Sequence, residues 1–246
     1  MERNANRSPA GKFVHLGMCY GYSSSKLAER FARKMREPKL FERHFYKSGF
    51  EFPLMPVVCN DQPEEIGLAA WGLIPTWAKD ESMQKYTLNA RSETIFEKPS
   101  FKKAIANQRC LILADGFYEW QHVGKNKYPY FIGLKNEDSF AFAGIWDLWE
   151  NPQSKEIVKS YSIITIEANG LMAKIHNTRK RMPLILPVEN EDAWLKAESK
   201  KEIIDLLKHP VGEDEMFAYT VQRKLANEAS VQDRFVYEEL SQGRMF

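Results

Sequence analysis

Hydrophobic and polar positions alternate through the middle of the chain, which is the spacing typical of strands. Six segments between residues 66 and 166 have strand-like patterns, and the alternation is clearest in Ser139-Phe140-Ala141-Phe142-Ala143. The predicted strands are residues 66–71, 109–114, 117–121, 129–134, 139–146 and 159–166. Gly124-Lys125-Asn126-Lys127 has the composition of a hairpin turn. A final strand is predicted at residues 217–222.

Helical spacing is found on both sides of this strand-rich region and interrupts it once, at residues 100–106. Near the N-terminus, the serines at 23–25 are candidate N-caps for a helix with Leu27, Phe31 and Met35 on one face, and Pro38 ends it. Further helices are predicted at residues 100–106, 167–176, 192–197 and 200–208. Because strands and helices do not alternate regularly, the pattern favours an α+β fold over a doubly wound sheet.

Composition indicates a globular chain with no strong overall charge. Of its 246 residues, 43% are hydrophobic and 28% are charged, which argues against extensive disorder, and the length suits one large domain. The net charge of +2 means that a surface for nucleic acid must be a local patch. Lys26, Arg30, Arg33 and Lys34 form such a basic region, either as a solvated helix face or as a phosphate-facing one.

The cysteines and the N-terminal segment bear on where the protein works. Cys19, Cys59 and Cys110 lack the paired spacing of a zinc site or a disulfide framework, which favours a reducing, cytoplasmic setting. No apolar stretch has the length of a membrane span or a signal peptide, so we expect a soluble protein. Residues 1–18 are polar, and we interpret them as a leader, a tag remnant or a misassigned start.

Polar, reactive side chains are concentrated in four clusters within segments that otherwise predict core. These clusters are Met18-Cys19, residues 89–93, residues 116–120, and Ile175-His176 leading to Arg181-Met182-Pro183. The segments WGLIPTWAKD, NARSET, FKKAIANQRCLILADGFYEW, FAFAGIWDLW and IHNTRKRMPLIL resemble the SOS response-associated peptidase family, also called the abasic site processing family. The resemblance covers most of residues 19–225, and the ordered combination of its motifs is specific.

The resemblance implies that Cys19, exposed as the N-terminal residue, traps the aldehyde of an abasic site in single-stranded DNA. An aldehyde condenses reversibly with an amine, and a thiolate on the adjacent carbon closes the imine into a thiazolidine ring. Only an N-terminal cysteine carries both groups, and its amine has an ordinary pKa near 8. Here eighteen residues precede Cys19, and they must be removed or absent. Either translation begins at Met18 and that methionine is removed, or self-cleavage or a protease cuts the Met18–Cys19 bond. An incidental buried thiol is the alternative.

Two further residues are candidates for proton transfer. Glu119 lies between Tyr118 and Trp120, and apolar neighbours would raise its pKa. By resemblance Glu119 positions or deprotonates the Cys19 amine, although an outward-facing carboxylate is the commoner situation. His176 is by resemblance the acid–base partner at the lesion. The family pattern has one residue between the histidine and Arg-Met-Pro, whereas here four residues, 177–180, separate His176 from Arg181. Because this insertion, which we call the insertion 177–180, puts the exact placement of His176 in doubt, a structural histidine remains an alternative.

Asn89 and Arg91 share one side of an extended segment, where a carboxamide and a guanidinium suit sugar and phosphate oxygens. By resemblance Asn89 orients the cysteine or the lesion and Arg91 binds a neighbouring phosphate. The alternative for Arg91 is a surface ion pair with Glu93. The arginine that many family members have just after the cysteine is missing here, and Lys26 or Arg181 are candidates to replace it.

Trp77 is a candidate platform for stacking on bases beside the lesion. A core position is the alternative for Trp77, and it is the favoured one for Trp71, which lies on a continuous apolar strand.

Taken with the resemblance, these patterns predict one α+β domain over residues 19–246, with a mixed, mainly antiparallel, barrel-like β-sheet core flanked by helices. The preferred hypothesis is a monomeric sensor that crosslinks to abasic single-stranded DNA, with self-processing peptidase and lyase-type activities. The alternatives are a cysteine-dependent peptidase and a non-catalytic single-stranded DNA-binding protein. We expect no cofactor, no metal and no membrane partner, and a cytoplasmic location, associated with the nucleoid if the source is bacterial.

Overall fold

Strands make up most of the regular structure in the computed structural model, which describes residues 20–25, 42–136 and 139–242. The strands are β1 Gly21–Ser24, β2 His44–Ser48, β3 Leu54–Cys59, β4 Ile66–Trp71, β5 Asn89–Arg91, β6 Arg109–Ala114, β7 Gly116–Val123, β8 Asn126–Leu134, β9 Phe140–Glu150, β10 Ile157–Glu167, β11 Arg181–Pro183, β12 Ile185–Leu186 and β13 Met216–Thr220. The α-helices are α1 Lys102–Asn107, α2 Gly170–Ile175, α3 Val188–Lys196, α4 Lys200–Leu206 and α5 Glu238–Gln242. Short 3-10 helices lie at Gly49–Glu51, Glu81–Tyr86, Glu213–Glu215 and Ala229–Gln232.

Five strands close into a barrel in the order β10-β4-β3-β6-β9, because β9 pairs back onto β10. The ring is antiparallel except for the pairing of β4 with β10. β6 is buried along its whole length, as expected for a strand with neighbours on both faces. One of those neighbours is α3, whose Trp194 donates a hydrogen bond from Nε1 to the carbonyl oxygen of Cys110 at 3.0 Å.

A second, fully antiparallel sheet in the order β13-β8-β7-β1-β2 packs against the barrel. Phe117 of β7 and Tyr22 of β1 each place their rings 5.8 Å from the ring of Phe142 in the barrel. The hydroxyl groups of Tyr22 and Tyr161 are hydrogen-bonded at 2.8 Å. These contacts fix β1 and β7, the strands that border the candidate site, relative to the barrel.

The fold confirms the predicted α+β architecture of one domain with a mixed, mainly antiparallel, barrel-like sheet flanked by helices. The predicted strands at 66–71 and 109–114 have the bounds of β4 and β6. The hairpin turn lies between β7 and β8, where Gly124 has the left-handed φ of 58° that such a turn requires. The remaining predicted strands and helices from residue 100 onward are present with shifted ends.

The N-terminal prediction is partly wrong. Ser23 and Ser24 lie in β1 and are buried, so they do not cap a helix; the helix itself, with its basic residues, lies outside the described residues. β2 and β3 were not predicted at all. Among the described residues, no helix has the length and hydrophobicity needed to span a membrane.

Candidate functional site

Glu119 lies in the first half of β7, where the side chains on both faces of the strand are buried. Its side chain is only 4% exposed. Its Oε1 has no hydrogen-bond partner among the described residues. Burial raises the pKa of Glu119 to about 8, although the backbone N–H of Trp120 lowers it in part. Glu119 is therefore largely protonated at neutral pH and close to the point where it exchanges a proton.

His176 is the residue at which α2 ends, and it is buried. Its Nδ1 lies 2.8 Å from the carbonyl oxygen of Arg181 and 3.3 Å from the backbone nitrogen of the same residue. The shorter contact requires that Nδ1–H donates, because a carbonyl oxygen can only accept. The Nε2 atom of the neutral ring is then an acceptor. Burial lowers the pKa of His176, the hydrogen bond to the Arg181 backbone raises it, and the positive charge of Arg179 lowers it further. The outcome is a pKa below the ordinary value, so the ring is neutral at pH 7.

The insertion 177–180 forms a tight turn that holds His176 beside β7. The N–H of Lys180 donates to the carbonyl oxygen of His176 at 2.9 Å, and Lys180 has a left-handed φ of 51°. The side-chain amide of Asn177 accepts from the N–H of His122 at 3.1 Å and donates to its carbonyl oxygen at 2.7 Å. Asn177 therefore extends the hydrogen bonding of β7 with a side chain and anchors the turn.

Glu119 and His176 line one cavity of about 400 Å³, which we call the Glu119 cavity. The other lining residues are Tyr20, Tyr46, Ser48, Phe50, Trp120, His122, Lys127, Thr178 and Arg179. The two predicted proton-transfer residues thus face the same space although 57 positions separate them in the chain, and several aromatic rings surround them.

Asn89 and Arg91 line a second cavity of about 410 Å³, which we call the Asn89 cavity. Both lie on β5, which pairs in parallel with β10, and their predicted common side is the side that faces this cavity. Its other lining residues are Tyr20, Lys85, Tyr86, Leu88, Thr94, Lys98, Phe101 and Arg179. Four cationic side chains and no acidic one line it among the described residues, so the cavity suits an anion such as a phosphate.

The two cavities meet at Tyr20 and Arg179, which line both. Cys19 and Lys26 lie outside the described residues, but Cys19 is bonded to Tyr20. The β1–β7 register pairs Gly21 with Tyr118, and its continuation by one residue sets Tyr20 alongside Glu119. The fold therefore gathers Asn89, Arg91, Glu119 and His176 around the residue that follows Cys19.

The guanidinium of Arg181 forms an ion pair outside both cavities. Both of its terminal nitrogens bond to the carboxylate of Glu93, and Nη2 also donates to the carbonyl oxygen of Thr165 at 2.6 Å. Its side chain is only 11% exposed and lines neither cavity. Burial raises the pKa of Glu93, but the hydrogen bond from Arg181 and the charges of Arg181 and Arg91 lower it below its ordinary value. Glu93 thus has Arg181, and not Arg91, as its salt-bridge partner.

Trp77 lies in a separate hollow, where it is 56% exposed and where Lys102 and Lys103 also contribute to the lining. Trp71, in contrast, is fully buried, and its Nε1 donates to the carbonyl oxygen of Leu88 at 2.9 Å, which confirms the favoured core position. Sequence reasoning missed Arg179 and Trp120 as cavity residues. Trp120 was adjacent to a predicted site residue, whereas Arg179 had no distinguishing pattern within its basic run.

The sequence model of the SOS response associated peptidase (SRAP) family matches residues 18–228. The chain belongs to this family. It is 41% identical over 170 residues to the abasic site processing protein YoqW of Bacillus subtilis, and this match covers 68% of this chain and 74% of that protein. It is 39% identical over 148 residues to the abasic site processing protein HMCES of Gallus gallus, covering 51% of this chain and 43% of that one.

Two solved structures share the fold of this chain. A crystal structure of a Bacteroides thetaiotaomicron protein has a TM-score of 0.82 and 36% identity, and the match covers 89% of this chain and all of that one. A Bordetella bronchiseptica protein has a TM-score of 0.71 and 26% identity, over 83% of this chain and all of that one. The SRAP match contains both cavities, because their lining residues all lie within residues 18–228. Among the described residues, no group of three His, Cys, Asp or Glu side chains could hold a metal ion.

Proposed function

We propose that this SRAP protein recognises abasic sites in single-stranded DNA and captures them covalently through Cys19 once Cys19 is the N-terminal residue. The observation that carries the proposal is the shared cavity of Glu119 and His176, which Tyr20 also lines. Membership of the family and the names of the related abasic site processing proteins support the same role.

The chemistry requires only an amine, a thiol and the open-chain aldehyde of the lesion. The amine nitrogen of Cys19 adds to the aldehyde carbon, and loss of one water gives an imine. The thiolate then adds to the imine carbon while the nitrogen takes up a proton, which closes a thiazolidine ring. Neither an oxidant nor a reductant is needed, because the aldehyde, amine and thiol together give the ring and one water.

Glu119 and His176 have proton affinities that suit these steps. The pKa of Glu119, about 8, lies near that of an α-amine, so its carboxylate can accept a proton from the Cys19 ammonium at little cost. The Nε2 of neutral His176 exchanges a proton with the sugar hydroxyl as the sugar ring opens. Because burial sets both values, the surrounding apolar side chains are part of the mechanism.

The Asn89 cavity supplies the DNA contacts in this proposal. Asn89 orients the cysteine or the lesion, and Arg91, which is exposed, binds a neighbouring phosphate. Trp77 offers a face on which a base farther along the strand can stack. Lys26 stays a candidate for a further phosphate contact.

The Cys19 amine must be free for any of this to occur. We propose that residues 1–18 are absent from the active protein. Either translation begins at Met18 and this methionine is then removed, or the Met18–Cys19 bond is cut by a protease or by the protein itself. Self-cleavage would use the thiol of Cys19 with Glu119 and His176 as proton carriers. Intact-mass measurement of the purified protein identifies the first residue directly.

The decisive test incubates the form that begins at Cys19 with single-stranded DNA carrying one abasic site. We expect an adduct that survives denaturing electrophoresis, with the mass of protein plus DNA minus one water. Cys19→Ala and an N-acetylated preparation are the matched controls and should give no stable adduct. A stable adduct from a form that keeps residues 1–18 would contradict ring closure. Equal affinity for intact and abasic strands with no adduct would favour a plain DNA-binding protein, and repeated peptide turnover without DNA would favour a peptidase.

A further inference from the structure

The cationic side chain that lies between the two cavities comes from the insertion 177–180. Arg179 lines the Glu119 cavity and the Asn89 cavity, and its side chain is exposed. Among the described residues, Tyr20 is the one other residue that lines both. A DNA strand whose lesion sugar occupies the Glu119 cavity and whose next phosphate occupies the Asn89 cavity would therefore pass Arg179.

The turn that carries Arg179 is held in place before any ligand binds. Asn177 is bonded twice to the backbone of His122 in β7, and Lys180 closes the turn onto His176. Two residues of the turn are thus anchored, and Arg179 lies between them. A preformed position of this kind reduces the entropy that a side chain loses when it binds a phosphate.

Arg181, in contrast, is poorly placed to bind a phosphate. Its guanidinium is committed to Glu93 and to the carbonyl oxygen of Thr165, and it would have to leave a half-buried ion pair to reach the DNA. Phosphate binding there would also bring the DNA close to the negative charge of Glu93. Arg179, in contrast, lines both cavities, and Glu119 is the one acidic residue that lines either of them within the part of the chain that the structure describes.

We propose that Arg179, and not Arg181, binds the DNA phosphate next to the lesion, and that the insertion 177–180 exists in this chain to deliver it. This inference rests on the proposed function and names a specificity contact of that same site. Arg181 then has the structural task of fixing Glu93 and the start of β11.

The test measures affinity for a single-stranded oligonucleotide that carries a tetrahydrofuran in place of the abasic sugar, a probe that cannot form an aldehyde. Fluorescence anisotropy gives Kd at several salt concentrations for the wild type, Arg179→Ala, Arg179→Lys, Arg181→Met and Lys201→Ala. Lys201 is an exposed cation on α4 that lines neither cavity, so it controls for the loss of one positive charge.

We expect Arg179→Ala to bind several-fold more weakly at low salt, with a plot of log affinity against log salt whose slope is shallower by about 0.7, the value for one phosphate contact on a single strand. The ratio of the Kd of Arg179→Ala to that of the wild type should accordingly fall about threefold between about 50 and 200 mM salt. Arg179→Lys should keep the wild-type slope, and Lys201→Ala should match the wild type.

An unchanged slope in Arg179→Ala would overturn the inference, and so would a slope in Arg181→Met that is as shallow as that of Arg179→Ala. Because the probe cannot react, these outcomes are independent of crosslinking. A failure of the proposed function would show instead as no adduct between the wild type and a true abasic site, whatever the affinity for the probe.

Discussion

The buried carboxyl of Glu119 should make the stability of the protein depend on pH in a predictable way. Its pKa is about 8 in the folded protein against 4.5 as the ordinary value. Between these two values the folded state holds a proton that the unfolded state has lost, so the free energy of unfolding must fall as pH rises. Glu119→Gln removes the titrating group and leaves a side chain of nearly the same shape.

The size of the effect follows from the two pKa values. Relative to a group with no shift, Glu119 lowers the free energy of unfolding by about 2 kcal/mol at pH 6 and by about 4 kcal/mol at pH 8. The difference in stability between the wild type and Glu119→Gln should therefore change by about 2 kcal/mol between these pH values, in favour of the variant at the higher pH.

Urea denaturation at pH 6, 7 and 8 measures this difference, with both proteins starting at the same residue. Glu156→Gln is the control, because Glu156 is exposed on the loop before β10. If the free energy of unfolding depended on pH in the same way for the wild type and Glu119→Gln, the assignment of a raised pKa to Glu119 would be refuted. They would also remove the argument that its carboxyl exchanges protons with the Cys19 amine near neutral pH.

Three further predictions concern the other residues that the structure places. His176→Asn should slow crosslinking by about a hundredfold, which crosslinking rates measure. The free energy of unfolding of the wild type should also fall relative to that of His176→Asn as pH falls below 6.5, because the unfolded state then binds a proton that the buried ring of His176 does not take up. Urea denaturation of both proteins at pH 5 and 7 measures this difference. Trp71→Ala should cost about 4 kcal/mol in urea denaturation and Trp77→Ala less than about 1 kcal/mol, and equal losses would contradict their placements. Gly72→Ala should cost about 2 kcal/mol, because Gly72 has a φ of 108° and a Cβ would lie 2.8 Å from the backbone oxygen of Gln84; Gly67→Ala, with open space around it, is the matched control in the same melts.

Local sequence patterns predicted the bounds of those strands that are apolar along nearly their whole length. β4 and β6 consist almost entirely of apolar residues, so their ends could be located from the sequence alone. β3 was missed because Pro56 interrupts it, and proline is unfavourable in a strand interior. Ser23 resembled a helix cap, but its hydroxyl donates to the carbonyl oxygen of His44 and accepts from Gln232, which lies 209 residues away. Hydrogen-bond partners that lie so far apart in the chain leave no pattern in the local sequence.

The candidate site could likewise be predicted only in part from local sequence patterns. Glu119 and His176 could be singled out because a polar residue within an apolar segment needs an explanation, and the structure places both in one cavity. The distinction between Arg179 and Arg181 could not be made, since it depends on Glu93, which lies 88 positions from Arg181. Sequence motifs thus identified the reactive types of side chain, whereas the ion pairs that select among similar cations required the fold.

The pairing of β1 with β7 explains why residues so far apart can act together. Antiparallel pairing sets Gly21 against Tyr118, so the chain just before β1 runs alongside Glu119. A slip of one residue in this register would turn every side chain of β1 to the opposite face. Tyr22 would then lose its hydrogen bond to Tyr161 and its contact with Phe142, both of which lie in the barrel core. The aromatic packing of Tyr22 therefore does more than stabilise the core, because it sets the register on which the position of Tyr20 beside Glu119 depends.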